Sequence, residues 1–160
     1  TDFQGSVTDA IREAIVAAIA DADVIVQGGG GHYTIEVTSR ALDAGIAAAT
    51  VGNRIGDISA AIGDVAHAAG LKVNLDFGGH GVGTIMHGDP HIANDGRAGR
   101  GLPLRAGLVF AIEPWFMLGT KKLYTDEDGW TLRSADGSRA AHFEHTVAVT
   151  DNGPVVLSAR

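Results

Sequence analysis

The chain has 160 residues, 45% of them hydrophobic and 19% charged, which is enough for one domain with a buried core and excludes extensive disorder. Twelve basic residues against nineteen acidic ones give a formal charge of −7, so nothing draws the chain toward nucleic-acid phosphates or anionic membranes. With no cysteine, disulfides and thiolate-bound metal are excluded, and any metal must sit on His, Asp and Glu.

Residues 6–22, SVTDAIREAIVAAIADA, read as a helix, with Ser6 and Asp9 as a capping box and Ile11, Ile15, Val16 and Ile19 on one stripe. A short buried strand is expected at 23–27. The GGGG run at 28–31 then reads as a loop. It is no phosphate cradle, because His32 and Tyr33 follow where a P-loop needs Lys and then Ser or Thr. Two alanine-rich helices are predicted over 35–49 and 56–69, the second ended by Gly70. KVNLDF, 72–77, alternates like a strand and leads into a glycine-rich loop carrying His80 and His87, with His87 placed on a returning strand. A long polar connection follows to about residue 107. LVFAIEPWFML, 108–118, is a strongly apolar strand interrupted by Pro114. A hairpin is predicted around the DEDG turn, then two further strands joined at Asp151–Asn152–Gly153. Helices first and mostly antiparallel strands afterwards indicate an α+β fold, with helices packed on one face of a curved sheet.

Asp21, Asp23 and Asp43 break the longest apolar stretches, so no membrane span is expected. The start, TDFQGSVTDAIREA, lacks the basic opening of a signal peptide, and a cytoplasmic enzyme or binding protein is the expectation.

Two carboxylates stand inside apolar strands: Glu113 after LVFAI, and Glu144 in AAHFEHTVAVT. Burying such a group is costly unless it is paired, hydrogen-bonded or bound to a metal. Alternation places Glu144 on one face with Thr146 and Ala148, and Phe143, His145, Val147 and Val149 on the other. If the apolar set faces the helices, Glu144 faces a cleft. His80 sits between glycines that let another group approach the backbone. One imidazole and two carboxylates form a hard donor set suited to Mn²⁺, Fe²⁺, Co²⁺ or Zn²⁺ in an open catalytic site. His87 would then be a proton donor or oxyanion stabiliser. Taken singly, His80 also reads as a satisfied core residue and Glu113 as half of a salt bridge; only the combination points to a metal. His67, His91 and His142 read as surface residues or as residues that support the site from behind, with no functional role assigned.

FGGHGVGTIMHGDP, LVFAIEPWF and DGWTLRSADGSRAAHFEHTVAVTDNGP, in that order, resemble the C-terminal half of type I methionine aminopeptidases, the pita-bread metallopeptidases. The resemblance covers about residues 35–160 and divides the chain into an atypical N-terminal segment, 1–34, and a catalytic portion, 35–160. It implies a pita-bread-like fold incomplete at the N-terminus and removal of N-terminal methionine from a peptide or nascent chain. It implies His80, Glu113 and Glu144 as ligands of one or two divalent ions. Glu113 would sit beside the attacking water, and His87 would contact substrate and stabilise the tetrahedral intermediate. Phe77, Met86 and Trp130 become candidates for the wall of the methionine pocket. Where the family carries two aspartates on adjacent strands, residues 1–34 show a helix and glycines instead, with Asp2, Asp9, Asp21 and Asp23 available. A non-catalytic module of the same fold, binding a peptide or partner protein, is the rival expectation. A proline-directed or creatinase-type relative fits DGWT and AHFEHT less well. An exposed half-sheet edge would invite a homodimer.

Overall fold

Apolar side chains recurring every three to four residues produce the two helices of the computed structural model, which describes residues 32–159. The helix expected at 6–22, the strand at 23–27 and the glycine run all lie outside the described residues. In α1, His32–Ala48, the buried positions are Thr34, Val37, Thr38, Ala41, Leu42 and Gly45, a single stripe. Gly45 lets α1 approach its neighbours: a Cβ there would lie 2.9 Å from Ile62 and 3.2 Å from Ile112. In α2, Ile55–Ala68, the stripe is Ile55, Ile58, Ser59, Ile62 and Ala66.

α2 begins with the Arg54 N–H donating to the Asp57 carboxylate at 2.7 Å. It ends at the glycine expected to stop it. Gly70, at φ +69°, donates its N–H to the His67 carbonyl, and the Leu71 N–H reaches back to Ala66, each at 3.0 Å. That is a Schellman closure, with Leu71 buried beneath it. Gly70→Ala forces a side chain into the left-handed region and should cost about 1–2 kcal/mol, read as a lower thermal midpoint.

The strands form antiparallel sheets. The five-stranded one has the order β10-β9-β4-β2-β3, from β2 (Gly79–Gly81), β3 (Gly88–Ile92), β4 (Val109–Ile112), β9 (His145–Thr150) and β10 (Gly153–Val156). The three-stranded one has the order β1-β5-β8, from β1 (Lys72–Val73), β5 (Trp115–Met117) and β8 (Ala140–His142). β6 (Leu123–Thr125) and β7 (Leu132–Ser134) make the expected hairpin. At its turn Asp128 accepts from the Thr131 hydroxyl and from the Trp130 and Thr131 N–H groups. Those bonds hold its carboxyl down to about 2, the Thr131 hydroxyl contributing most. The core joins both helices to the inner sheet faces through Val37, Leu42, Ile58, Ile62, Ile92, Phe110, Ile112, Phe116, Val147 and Val149. The α+β reading of the sequence therefore holds, with helices against antiparallel sheet.

Three local expectations need correction. The strand at 72–77 stops at Val73, because the buried Asn74 side chain accepts from the Asp76 and Phe77 N–H groups and turns the chain. His87 is not on a strand: it closes the 82–87 loop, and β3 starts at Gly88. Glu144 does not continue an alternating strand, because the ladder is broken between His142 and His145.

Candidate metal centre

That break is where the site forms. β4 and β9 pair as far as Ile112↔His145, and β5 and β8 resume at Trp115↔His142. The chain thus passes from one sheet to the other twice, side by side. At one crossing sits Glu113–Pro114, and at the other Phe143–Glu144, tied by the Phe143 N–H to the Pro114 carbonyl at 3.4 Å. Proline cannot serve a ladder, so the first interruption is written in the sequence. Interrupted pairing turns both glutamates out of the strand rhythm and brings them together.

β2 carries His80 between β3 and β4. Its flanking glycines are required by that squeeze. A Cβ on Gly79 would lie 2.2 Å from the Ala111 carbonyl oxygen, and one on Gly81 would lie 2.0 Å from that of Asp89. Neither backbone atom can yield without parting the sheet. Gly79→Ala should therefore cost about 1–3 kcal/mol and move His80 away from Glu113, read as a lower midpoint together with weaker Co²⁺ binding.

His80 Nε2 lies 3.5 Å from Glu113 Oε1, and both side chains are largely buried. On the other side of the carboxylate, His142 Nε2 and the Trp115 indole N–H each lie 3.2 Å from Oε2. The His87 ring sits edge-on to that of His80, 4.5 Å between centres. Phe77 stacks on Trp115 at 5.3 Å, and Trp115 stacks on His142 at 4.2 Å. Donor atoms of Glu113, His142 and Glu144 all fall within 4.8 Å of one another. Behind the site the buried Asn94 amide donates to the Glu113 backbone carbonyl at 2.9 Å and fixes the crossing in place.

Electrostatics follow from these contacts. Burial alone would raise the Glu113 pKa. Hydrogen bonds from His142 and Trp115, with the nearby His142 and His80 charges, outweigh it and hold the carboxyl below its ordinary value. Glu113 is thus anionic at neutral pH. His80 Nδ1–H donates to the Gly81 carbonyl at 3.2 Å, which leaves Nε2 to face the Glu113 carboxylate. Such a pair is stabilised by a cation or proton between them. At metal–ligand distances of about 2.1 Å, two donors on one ion stand about 3.0–3.4 Å apart, close to what is seen. The residues present fit a divalent ion.

Of the residues singled out in the sequence, the structure brings together His80, His87 and Glu113, with Glu144 beside Glu113 and Phe77 one stacked ring away. Met86 precedes His87 in the loop and is 70% exposed. Trp130 is 85% exposed on the β6–β7 turn, and among the described residues no hydrogen bond or ring contact joins it to the others. Sequence reasoning passed over His142 and Trp115. The signal was available: each stands two residues from a glutamate, Trp115 after Glu113 and His142 before Glu144, close enough along the chain to share its surroundings.

The family model for metallopeptidase family M24 matches residues 6–151. Methionine aminopeptidase 1 of Mycobacterium tuberculosis is 48% identical over 149 residues, covering 89% of this chain and 53% of that protein. Methionine aminopeptidase of Aquifex aeolicus is 47% identical over 126 residues, covering 78% of this chain and 49% of that protein. Among solved structures, methionine aminopeptidase from Thermotoga maritima superposes with a TM-score of 0.79 at 40% identity, covering 86% of this chain and 55% of that one. The chain spans about half the length of the curated relatives it matches. Among the described residues no helix is long and apolar enough to cross a membrane. With a family match over most of its length and a donor set suited to a divalent ion, the chain belongs to metallopeptidase family M24.

Proposed function

We propose that this chain carries the metal-binding portion of an aminopeptidase that removes N-terminal methionine from peptides or nascent proteins in the cytoplasm. The observation that carries the reading is the meeting of His80 Nε2 and Glu113 Oε1 at 3.5 Å, with Glu144 beside Glu113. His80, Glu113 and Glu144 would hold one or two Co²⁺, Mn²⁺, Fe²⁺ or Zn²⁺ ions. When bound, such an ion supplies Lewis acidity to the scissile carbonyl and acidity to a water.

The residues of the chain do the rest. Glu113, ionised at neutral pH, accepts the proton of the attacking water. His87, exposed beside the His80 ring, donates a hydrogen bond to the oxyanion that develops on the substrate carbonyl. Phe77, Met86 and Trp130 are exposed apolar groups suited to the wall that receives a thioether, with Phe77 nearest in the chain of contacts through Trp115. Residues 35–160 form the catalytic portion in this reading, and residues 1–34 a separate segment. Among the described residues β3 and β10 are the outer strands of the five-stranded sheet, and such an edge would suit a second copy of the chain. Net charge of −7 gives no pull toward nucleic acid or anionic lipid.

The test is direct. The purified chain with Co²⁺ or Mn²⁺ is incubated with a Met-Ala-Ser peptide and released methionine is measured. Turnover that disappears with a chelator and returns with metal is expected. Metal binding without any turnover would leave a peptide-binding module in place of an enzyme.

A further inference from the structure

We propose that His142 is itself a nitrogen ligand, holding a divalent cation together with Glu113 and Glu144. This rests on the reading of the site as a metal centre and deepens it by adding a fourth donor to His80, Glu113 and Glu144.

Several observations converge. The donor atoms of Glu113, His142 and Glu144 already lie within 4.8 Å of one another, a spacing that one ion can close. His142 Nε2 stands 3.2 Å from Glu113 Oε2, matching the separation of two donors on a shared ion. Two carboxylates brought this close repel unless a positive charge lies near. Among the described residues no ion pair joins either glutamate to a lysine or arginine; the ion-pair partners of Glu113 are His80 and His142. With His142 counted, one nitrogen and two carboxylates converge within reach of a single ion, which meets the three protein donors of an open divalent site without any aspartate.

The ring is also held as ligands are held. Trp115 is the direct cross-strand partner of His142 and stacks on it at 4.2 Å, with 25° between planes. The same indole donates its N–H to Glu113 Oε2, so one side chain orients both the imidazole and the carboxylate.

The experiment compares wild type, His142→Ala and His142→Gln, stripped of metal and titrated with Co²⁺ by calorimetry and visible absorption. Glutamine can donate to Glu113 and lie flat on Trp115, but lacks the imidazole nitrogen. Both variants should bind Co²⁺ about 100-fold more weakly, with a changed cobalt spectrum, while the metal-free His142→Gln protein melts as wild type does. Binding by His142→Gln within about threefold of wild type, with the same spectrum, overturns the proposal, since a hydrogen-bond donor then suffices. A wild-type chain that binds no Co²⁺ overturns it as well. Binding that depends on His142 upholds it even if no methionine is released, a result that would remove only the peptidase reading.

Discussion

Glu113→Gln should lower the rate of methionine release by about 10³-fold, within the range that general-base removal produces. Glutamine keeps the size of the side chain and can still accept the Trp115 indole N–H. It loses the negative charge that faces His80 and His142, and it cannot take a proton from water. The loss should therefore appear in kcat more than in KM, accompanied by weaker Co²⁺ binding. Trp115→Phe makes the contrast. It keeps a ring on His142 but removes the 3.2 Å hydrogen bond to Glu113, and a smaller loss of about tenfold in metal affinity is expected. Steady-state kinetics and calorimetry on the two variants check both. A Glu113→Gln protein with wild-type turnover would remove Glu113 from the chemistry altogether.

Phe110→Ala should cost about 3–5 kcal/mol of stability, the range for emptying a buried aromatic site. Phe110 is 1% exposed and lies on β4, the strand that pairs with β9 on one side and β2 on the other. Opposite it stand Val147 and Gly81, so a void there loosens the strand that delivers Glu113 and the strand that delivers His80. β4 is the central strand of its sheet and cannot slide to fill the gap without breaking two ladders. Urea unfolding gives the value, with the slope unchanged if the native state stays compact. A loss under about 1 kcal/mol would mean that this position relaxes freely and the core does not hold the site.

Much of this could be read along the chain. The two described helices announced themselves by period and by Gly70, and Pro114 marked the interruption beside Glu113. The β6–β7 hairpin followed from its turn residues. His80, Glu113 and Glu144 stood out because ionisable groups in apolar surroundings need a reason to be there. Other features were hidden by the same rules. Alternation was extended through Phe143 and Glu144 as though the strand ran on, whereas Pro114 on the facing strand has no N–H to continue the ladder. Asn74 ended a strand through its own side chain, which a hydropathy pattern does not register. His142 was set aside because an imidazole at a strand end has many uses, and only a neighbour decides among them.

Local sequence thus determined which segments coil, which extend and where the helices stop, because capping, turn and period preferences act over a few residues. It also determined the chemistry available: no thiolate, an acidic balance, and imidazoles beside glycines and carboxylates beside aromatic rings. Which of those groups share a pocket was decided by the tertiary structure alone. Glu113 and Glu144 meet because two strands change sheets at the same level, and His80 reaches them because glycines let β2 press between its neighbours. His142 joins them through a tryptophan across the ladder. Such meetings depend on pairing between distant strands, and pairing energy is shared among backbone groups that every residue carries alike.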